Sequence, residues 1–231
     1  AYDTFGNPAH PALLLVGGLS NQLIVWDADF CTQLAEHDLY VIRYDNRDVG
    51  HSTKFEAAGM PNIPAIMAAR AAGQQAEAPY YLKDMAADGI ALLDALNIDQ
   101  AHVMGISMGG MIVQEMAINF PKRLLSLISV MSTTGEPIEP ATPDAMVFLT
   151  APSPTDRDGY LDHTVKGRHI LHGNALPYDT ERSRRKAAEQ YDRVFYPVGV
   201  ARQMAAIMAS EPRHEKLKAV TVPSLVMHGS E

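Results

Sequence analysis

The residue in this chain best suited to covalent chemistry is Ser107, in the stretch His102-Val103-Met104-Gly105-Ile106-Ser107-Met108-Gly109-Gly110. The apolar run ahead of it reads as a strand. Behind it, Met111, Ile112, Val113, Met116 and Ala117 have helical spacing, so the serine falls on an abrupt strand-to-helix corner. A side chain held at such a corner needs empty space on both flanks. Gly105 lets the incoming strand pass close, and Gly109 lets the helix start without a Cβ collision. The first N–H groups of that helix, Met108 foremost, lack intrahelical acceptors and point toward the serine, where an oxyanion would develop. The chemistry this suits is nucleophilic attack on a carbonyl. The plainer reading of the same residues is an ordinary strand-loop-helix junction.

A neutral serine is a poor nucleophile and needs a base within hydrogen-bond reach, with an acid behind it. The nine histidines do not offer an obvious one. His10, His37 and His214 sit in segments of surface character, and His102 precedes the elbow strand at the wrong end. His51 follows the second predicted strand and could face a cleft, while His163, His169 and His172 fall in a later helical region. Packing in a loop or helix is the plainer role for each. His169 and His172 are three apart on a predicted helix but have no carboxylate at ligand spacing, so no metal site is expected. Glu136, just beyond the fourth predicted strand, is an intrachain carboxylate that could orient a base. Cys31, the single cysteine, excludes an intrachain disulfide and reads as a packed helix residue.

The elements that must position Ser107 follow from pattern. Ala12–Val16 is a short apolar run of buried-strand type ended by Gly17-Gly18, followed by a helix around Trp26 to Glu36 and a second strand over Leu39–Tyr44. A polar turn, Asp45 to Ser52, comes next. An irregular excursion over 55–79 has a short helix at its alanine-rich centre. Apolar positions 82, 85, 86, 90, 93 and 96 form a helical stripe leading to the elbow strand, and Leu124–Met131 is the next strand. Strands alternating with helices predict a parallel α/β sheet with ligands above the strand ends. From Glu136 the composition changes: prolines at 137, 140, 143, 152 and 154 precede helical segments over 156–172 and 180–208, the second broken near Pro197. The expected organisation is a core over 1–135, a helical cap inserted at 136–214, and a resumed core over 215–231 with strand character from Val220 to Gly229.

The length of 231 residues allows one substantial core, and 47% hydrophobic with 20% charged residues is a globular composition, not a disordered one. A net charge of -8 without a long basic tract argues against a nucleic-acid partner. No stretch has the 18 consecutive apolar residues of a membrane span, and no basic-then-apolar leader opens the chain. The expectation is a cytoplasmic protein without a membrane partner.

Several of these motifs together resemble the α/β-hydrolase family. Gly105-Ile106-Ser107-Met108-Gly109 is similar to its nucleophile elbow, and Gly17-Gly18-Leu19 stands where the family has a His-Gly-apolar oxyanion loop. Tyr44-Asp45-Asn46-Arg47-Asp48-Val49-Gly50-His51-Ser52 resembles the family's Arg-Asp-x-Gly-x-Ser loop, and Tyr2-Asp3-Thr4-Phe5-Gly6 the end of its opening antiparallel strands. The nearest likeness is to the aclacinomycin methylesterase group, whose members hydrolyse a methyl ester on a polyketide. The resemblance implies a mostly parallel sheet flanked by helices with an inserted helical cap. It also implies Ser107 as nucleophile, Met108 and Leu19 as backbone oxyanion donors with Gly18 as the fallback, and no cofactor. Gly17 replaces the motif's first histidine, an exchange that leaves a backbone donor intact. Arg47 and Asp48 are expected to pair and brace the loop, with Arg47 a possible substrate ligand.

At the other end, His228-Gly229-Ser230-Glu231 departs from the family's His-Gly-x-x-Asp pattern. Both ends of the fold therefore read as incomplete. The acid and base are expected beyond Glu231, on a remaining C-terminal segment packed against this chain, and the natural protein is expected to exceed 25.2 kDa. The expected reaction is hydrolysis of a small or hydrophobic carboxylic ester through an acyl-enzyme. Met104, Met108, Met146, Met204 and Met208 are expected to offer an adaptable apolar surface to that ester, or else to fill the core. The same frame serves cofactor-free haloperoxidases, perhydrolases and carbon-carbon hydrolases. A non-catalytic ligand-binding module is the reading if the acid and histidine are truly absent.

Overall fold

The computed structural model describes residues 1–136 and 142–229. Its sheet has the strand order β1-β3-β2-β4-β5-β6 among these residues. The strands are β1 (Tyr2–Phe5), β2 (Ala12–Val16), β3 (Tyr40–Tyr44), β4 (Ala101–Ile106), β5 (Leu124–Val130) and β6 (Ser224–Met227). Only β1 runs antiparallel to its neighbour, with Tyr2 opposite Tyr44. The other pairings are parallel.

Period-two alternation sends successive side chains to opposite faces of the sheet. Leu14 and Val16 of β2, Ile42 of β3 and Val103 of β4 pack against helices α3 (Leu82–Ala95) and α4 (Met108–Asn119), through Leu82, Met85, Ile90, Leu93, Ile112 and Met116. Leu13, Leu15 and Val41 face the other way, onto Trp26 and onto Cys31 of α1 (Ala28–Ala35). Helices thus cover both faces, as the alternating pattern requires. Each such leucine buried fully contributes about 1.5–3 kcal/mol. The buried Arg43 of β3 is satisfied by the Trp26 carbonyl and by Asp3 at 2.8 Å.

The excursion after β3 holds α2 (Ile63–Ala71), whose N-cap Asn62 accepts from the Ala65 N–H at 3.1 Å. The chain then divides into two compact units. Ala1–Glu136 and Val198–His228 form one, and 142–197 lies in the other.

The second unit contains α5 (Pro143–Thr150), α6 (Arg157–His172) and α7 (Thr180–Arg193). Asp156 and Asp179 cap the latter two through the N–H groups of Gly159 and Arg182, each at 2.8 Å. Phe148 of α5 lies on Gly167 of α6, where any Cβ would strike its ring. Tyr160, Tyr191 and Phe195 form an aromatic cluster. The proline-rich start of the expected insertion, 137–141, lies outside the described residues, as do Ser230 and Glu231.

The insertion expected over 136–214 ends earlier than the composition suggested. Pro197 opens a new helix, α8 (Pro197–Ala209), and from Val198 the chain belongs with the sheet. Ala206 is in the sheet's core, and Ala205 and Ala209 pack on Ile66 of α2. Small residues on one face let this helix approach closely, while its methionines and its Pro-marked start gave it the look of the preceding segment. A short helix, α9 (His214–Leu217), then leads to β6.

Candidate active site

The strand order reverses direction around β2: β3 lies on one side of it and β4 on the other. Such a switch point opens a crevice at the carboxyl ends of the strands. The Gly17-Gly18 loop leaves β2 there and Ser107 leaves β4 there, with Val16 and Gly105 paired across the two strands.

Ser107 adopts φ 55° and ψ -121°, a left-handed conformation uncommon for a residue with a Cβ. Its N–H still donates to the Val130 carbonyl at 2.9 Å, extending the β4–β5 ladder by one residue. Its carbonyl accepts from the Ser132 hydroxyl at 2.8 Å and from the Met111 N–H at 3.2 Å. The surrounding bonds fix the strained corner, and the side chain is left exposed.

The glycines are sterically required. A Cβ on Gly105 would lie 2.1 Å from the Gly109 carbonyl oxygen, and one on Gly109 would lie 2.1 Å from that of Val16. The position of Gly18 is set by its own close approach, since a Cβ there would come within 3.3 Å of Ser107 Cβ. The β2 loop therefore abuts the serine. Met108 opens α4, and an N–H in the first helical turn has no intrahelical acceptor.

Arg47 and Asp48 do not pair with each other. Arg47 forms a two-pronged ion pair with Asp88 of α3 at 2.6 and 2.7 Å and lies over the rings of Phe55 and Tyr80. Asp48 accepts two bonds from Arg202 of α8, at 2.8 and 2.7 Å, one from the Phe55 N–H at 2.8 Å and one from the Tyr80 hydroxyl at 2.7 Å. Successive residues on this turn face different helices, so the two side chains cannot meet. Asp48 and Arg202 are both 0% exposed. Burial pushes the Asp48 carboxyl up, but the bonds from Arg202, Phe55 and Tyr80 outweigh it and hold the group below its ordinary value. Burial and the adjoining carboxylate push the Tyr80 phenol up.

Arg202, Gln203 and Tyr80 went unrecognised in the sequence. Arg202-Gln203 inside the otherwise apolar run from Val198 to Ala209 was the available signal, because two polar residues there must find buried partners.

Six of the nine histidines meet other groups. His102 meets the Ser126 hydroxyl at 2.7 Å, and His10 lies 3.8 Å from Asp38. His214 lies 3.1 Å from Glu136 and 2.8 Å from Glu215. His163 packs on Phe148, and His169 and His172 on Tyr178. Among the described residues no group of three His, Cys, Asp or Glu could hold a metal ion. Cys31 is fully buried, and desolvation pushes its thiol up, away from the reactive thiolate.

Of the methionines expected at the site, Met108 is core and Met104 faces the α1 side of the sheet. Met208 packs on the Ile66 cluster, and Met146 is exposed. A cavity of about 340 Å³ lined by Tyr44, Arg47, His51 and Asp88 does not include Ser107 in its wall.

Residues 11–231 match a family model described as alpha/beta hydrolase fold. The rhodomycin D methylesterases DauP of Streptomyces sp. and DnrP of Streptomyces peucetius are each 30% identical to this chain over 205 residues. Those alignments take in 80% of this chain and 62% of the relative, so the chain spans about three-fifths of these proteins' length. A 3-oxoadipate enol-lactonase of Acinetobacter baylyi is 34% identical over 127 residues, 55% of this chain and 39% of that protein. Among solved structures, the enol-lactonase from Burkholderia xenovorans LB400 superposes with a TM-score of 0.67 at 21% identity, covering 100% of this chain and 78% of the other.

Proposed function

The chain belongs to the α/β-hydrolase fold family, and from that premise we propose that it carries the nucleophile of a serine-dependent carboxylic-ester hydrolase. The observation that carries the reading is Ser107 itself. It is an exposed hydroxyl held at φ 55° on a glycine-walled corner, beside a second glycine loop at the sheet's switch point. Similarity to methylesterases and an enol-lactonase, whose names both denote cleavage of an ester bond, supports the choice of reaction.

In this reading Ser107 Oγ attacks the ester carbonyl while its proton passes to a histidine base. The N–H groups of Met108 and Leu19 stabilise the tetrahedral oxyanion, each worth on the order of 3 kcal/mol in the transition state. The base returns the proton to the departing alkoxide. A water then attacks the acyl-enzyme, giving its proton to the same base, and the acid is released with Ser107 restored.

The base and its orienting acid are assigned to polypeptide outside these residues, because the relatives are longer and most histidines here are bonded or packed elsewhere. Selection of the ester is assigned to the helical segment within 142–197, whose Met146, Val147 and Leu149 are exposed. The substrate is a small or hydrophobic ester, a methyl ester foremost.

The test is Ser107→Ala in the full-length protein. Turnover of p-nitrophenyl and methyl esters should fall by about 10⁴-fold or more with the fold unchanged by circular dichroism. A fluorophosphonate adduct should map to the peptide containing Ser107. An adduct on another residue, or ester turnover by the alanine variant close to the parent's, would defeat the assignment.

A further inference from the structure

The loop that leaves β2 is held by side chains from two distant segments. The Gly17 carbonyl accepts from Asn46 Nδ2 at 3.0 Å, and the Leu23 N–H donates to Asp45 Oδ1 at 2.7 Å. Between these anchors, the Ser20 N–H donates to Gln203 Oε1 at 3.0 Å, across 183 positions of sequence. Gln203 Nε2 in turn donates to the Arg47 carbonyl at 2.8 Å. One amide therefore ties the β2 loop to the β3 loop.

The tie is rigid for three reasons. Gln203 is 0% exposed, so neither bond competes with bulk water. Its neighbour Arg202 pins the same turn of α8 to Asp48 and, at 2.8 Å, to the Gly59 carbonyl. Finally, Ser20 sits at φ 63°, a conformation that a serine keeps only when its surroundings enforce it. A tight turn closed by the Asn21 N–H on the Gly18 carbonyl, at 3.1 Å, completes the shape.

The residues caught between the Gly17 and Ser20 anchors are Leu19 and the Gly18 that abuts Ser107. We infer that Gln203 is a positioning residue that sets the direction of the Leu19 N–H toward the oxyanion, acting through its bond to the Ser20 N–H. The inference deepens the serine-hydrolase reading and rests on it. An oxyanion donor is effective only if it is already aimed when charge develops, and misplacement by about 1 Å can cost on the order of 10²-fold. The bond to Gln203 removes the loop's freedom to turn that donor away.

The experiment uses the full-length protein and Gln203→Met, which keeps the side chain's length and drops both hydrogen bonds. Rates are expressed per folded molecule, counted by endpoint fluorophosphonate labelling of Ser107. With a short-chain p-nitrophenyl ester, kcat should fall about 10- to 100-fold while KM changes by less than about threefold. Affinity for a trifluoromethyl ketone, which forms an oxyanion on the serine, should fall in parallel with kcat/KM. Gln203→Glu keeps an acceptor for the Ser20 N–H and should retain the larger share of activity. A purely structural glutamine would lower the melting temperature and leave kcat per folded molecule at the parental value, which would overturn the inference. So would rapid hydrogen exchange of the Ser20 amide in the parent protein, a readout that does not depend on any variant folding. A parent protein that neither labels at Ser107 nor turns over esters would overturn the function as well, whereas an active parent with unaffected Gln203 variants overturns this role alone.

Discussion

At Ser107 the backbone is strained because its neighbours leave it no alternative. The Ser132 hydroxyl and the β5 ladder hold the corner, and the glycines on either side remove the Cβ atoms that would block it. Gly109 and Gly59 separate two reasons for a glycine. At Gly109 an added Cβ meets the backbone oxygen of Val16 at 2.1 Å, which cannot move without breaking the sheet. At Gly59 nothing lies within 4 Å, and only the φ of +63° opposes a side chain. Gly109→Ala should therefore cost at least about 3 kcal/mol in urea unfolding, whereas Gly59→Ala should cost about 1–2 kcal/mol. Equal losses would mean that the elbow has more room than its geometry indicates. Gly105, Ser107 and Gly109 were legible in the sequence because a tight corner permits few residue types. The partners of Arg47 and Asp48 were not, since adjacent opposite charges look paired until the turn points them at different helices.

Helix α8 joins two kinds of duty. Its small residues pack on the sheet and on α2, and its two polar residues reach the β2 and β3 loops. The Asp48–Arg202 pair is wholly buried, so removing one partner strands a charge. Arg202→Met should destabilise by about 3–5 kcal/mol, and adding Asp48→Leu should recover only part of this, because Phe55 N–H, Tyr80 and the Gly59 carbonyl also lose partners. A chemical-denaturation cycle over the four proteins measures the coupling, and additive losses would contradict it.

The same pair sets an acid limit. The Asp48 carboxyl is held below its ordinary value, so the stability its anion contributes is complete above the unfolded value near about 3.9 and is lost as pH falls through the lower folded value. Thermal melts of the parent should steepen in their decline below about pH 4. Asp48→Asn, less stable at pH 6, should show a shallower decline, and parallel curves would remove Asp48 as the cause.

At the scale of the molecule, β6 is an apolar strand whose four residues are all exposed among the described residues. Val226 is 75% exposed and Leu225 52%, on a strand whose one described neighbour is β5. An accessible apolar strand edge recruits other strands. The 231 residues produced alone should self-associate in light scattering, and Val226→Lys should shift them toward monomer. A monodisperse parent at high concentration would show that this strand is protected. No helix among the described residues is long and apolar enough to cross a membrane.

The sequence by itself determined the strand-helix alternation and the elbow. These are local consequences of side-chain period and of where only glycine fits, and they placed β2, β3 and β5 within a residue of their observed ends. It also carried the warning that Arg202 and Gln203 needed buried partners, without naming them. Only the tertiary structure decided that those partners are Asp48, Ser20 and Arg47, that α8 belongs with the sheet, and that Met104 turns away from the serine. The reason is distance along the chain. A contact spanning 183 positions, such as Ser20 with Gln203, has no periodicity or spacing to announce it. It follows only once the sheet order and the packing of α8 have brought the two loops to the same helix.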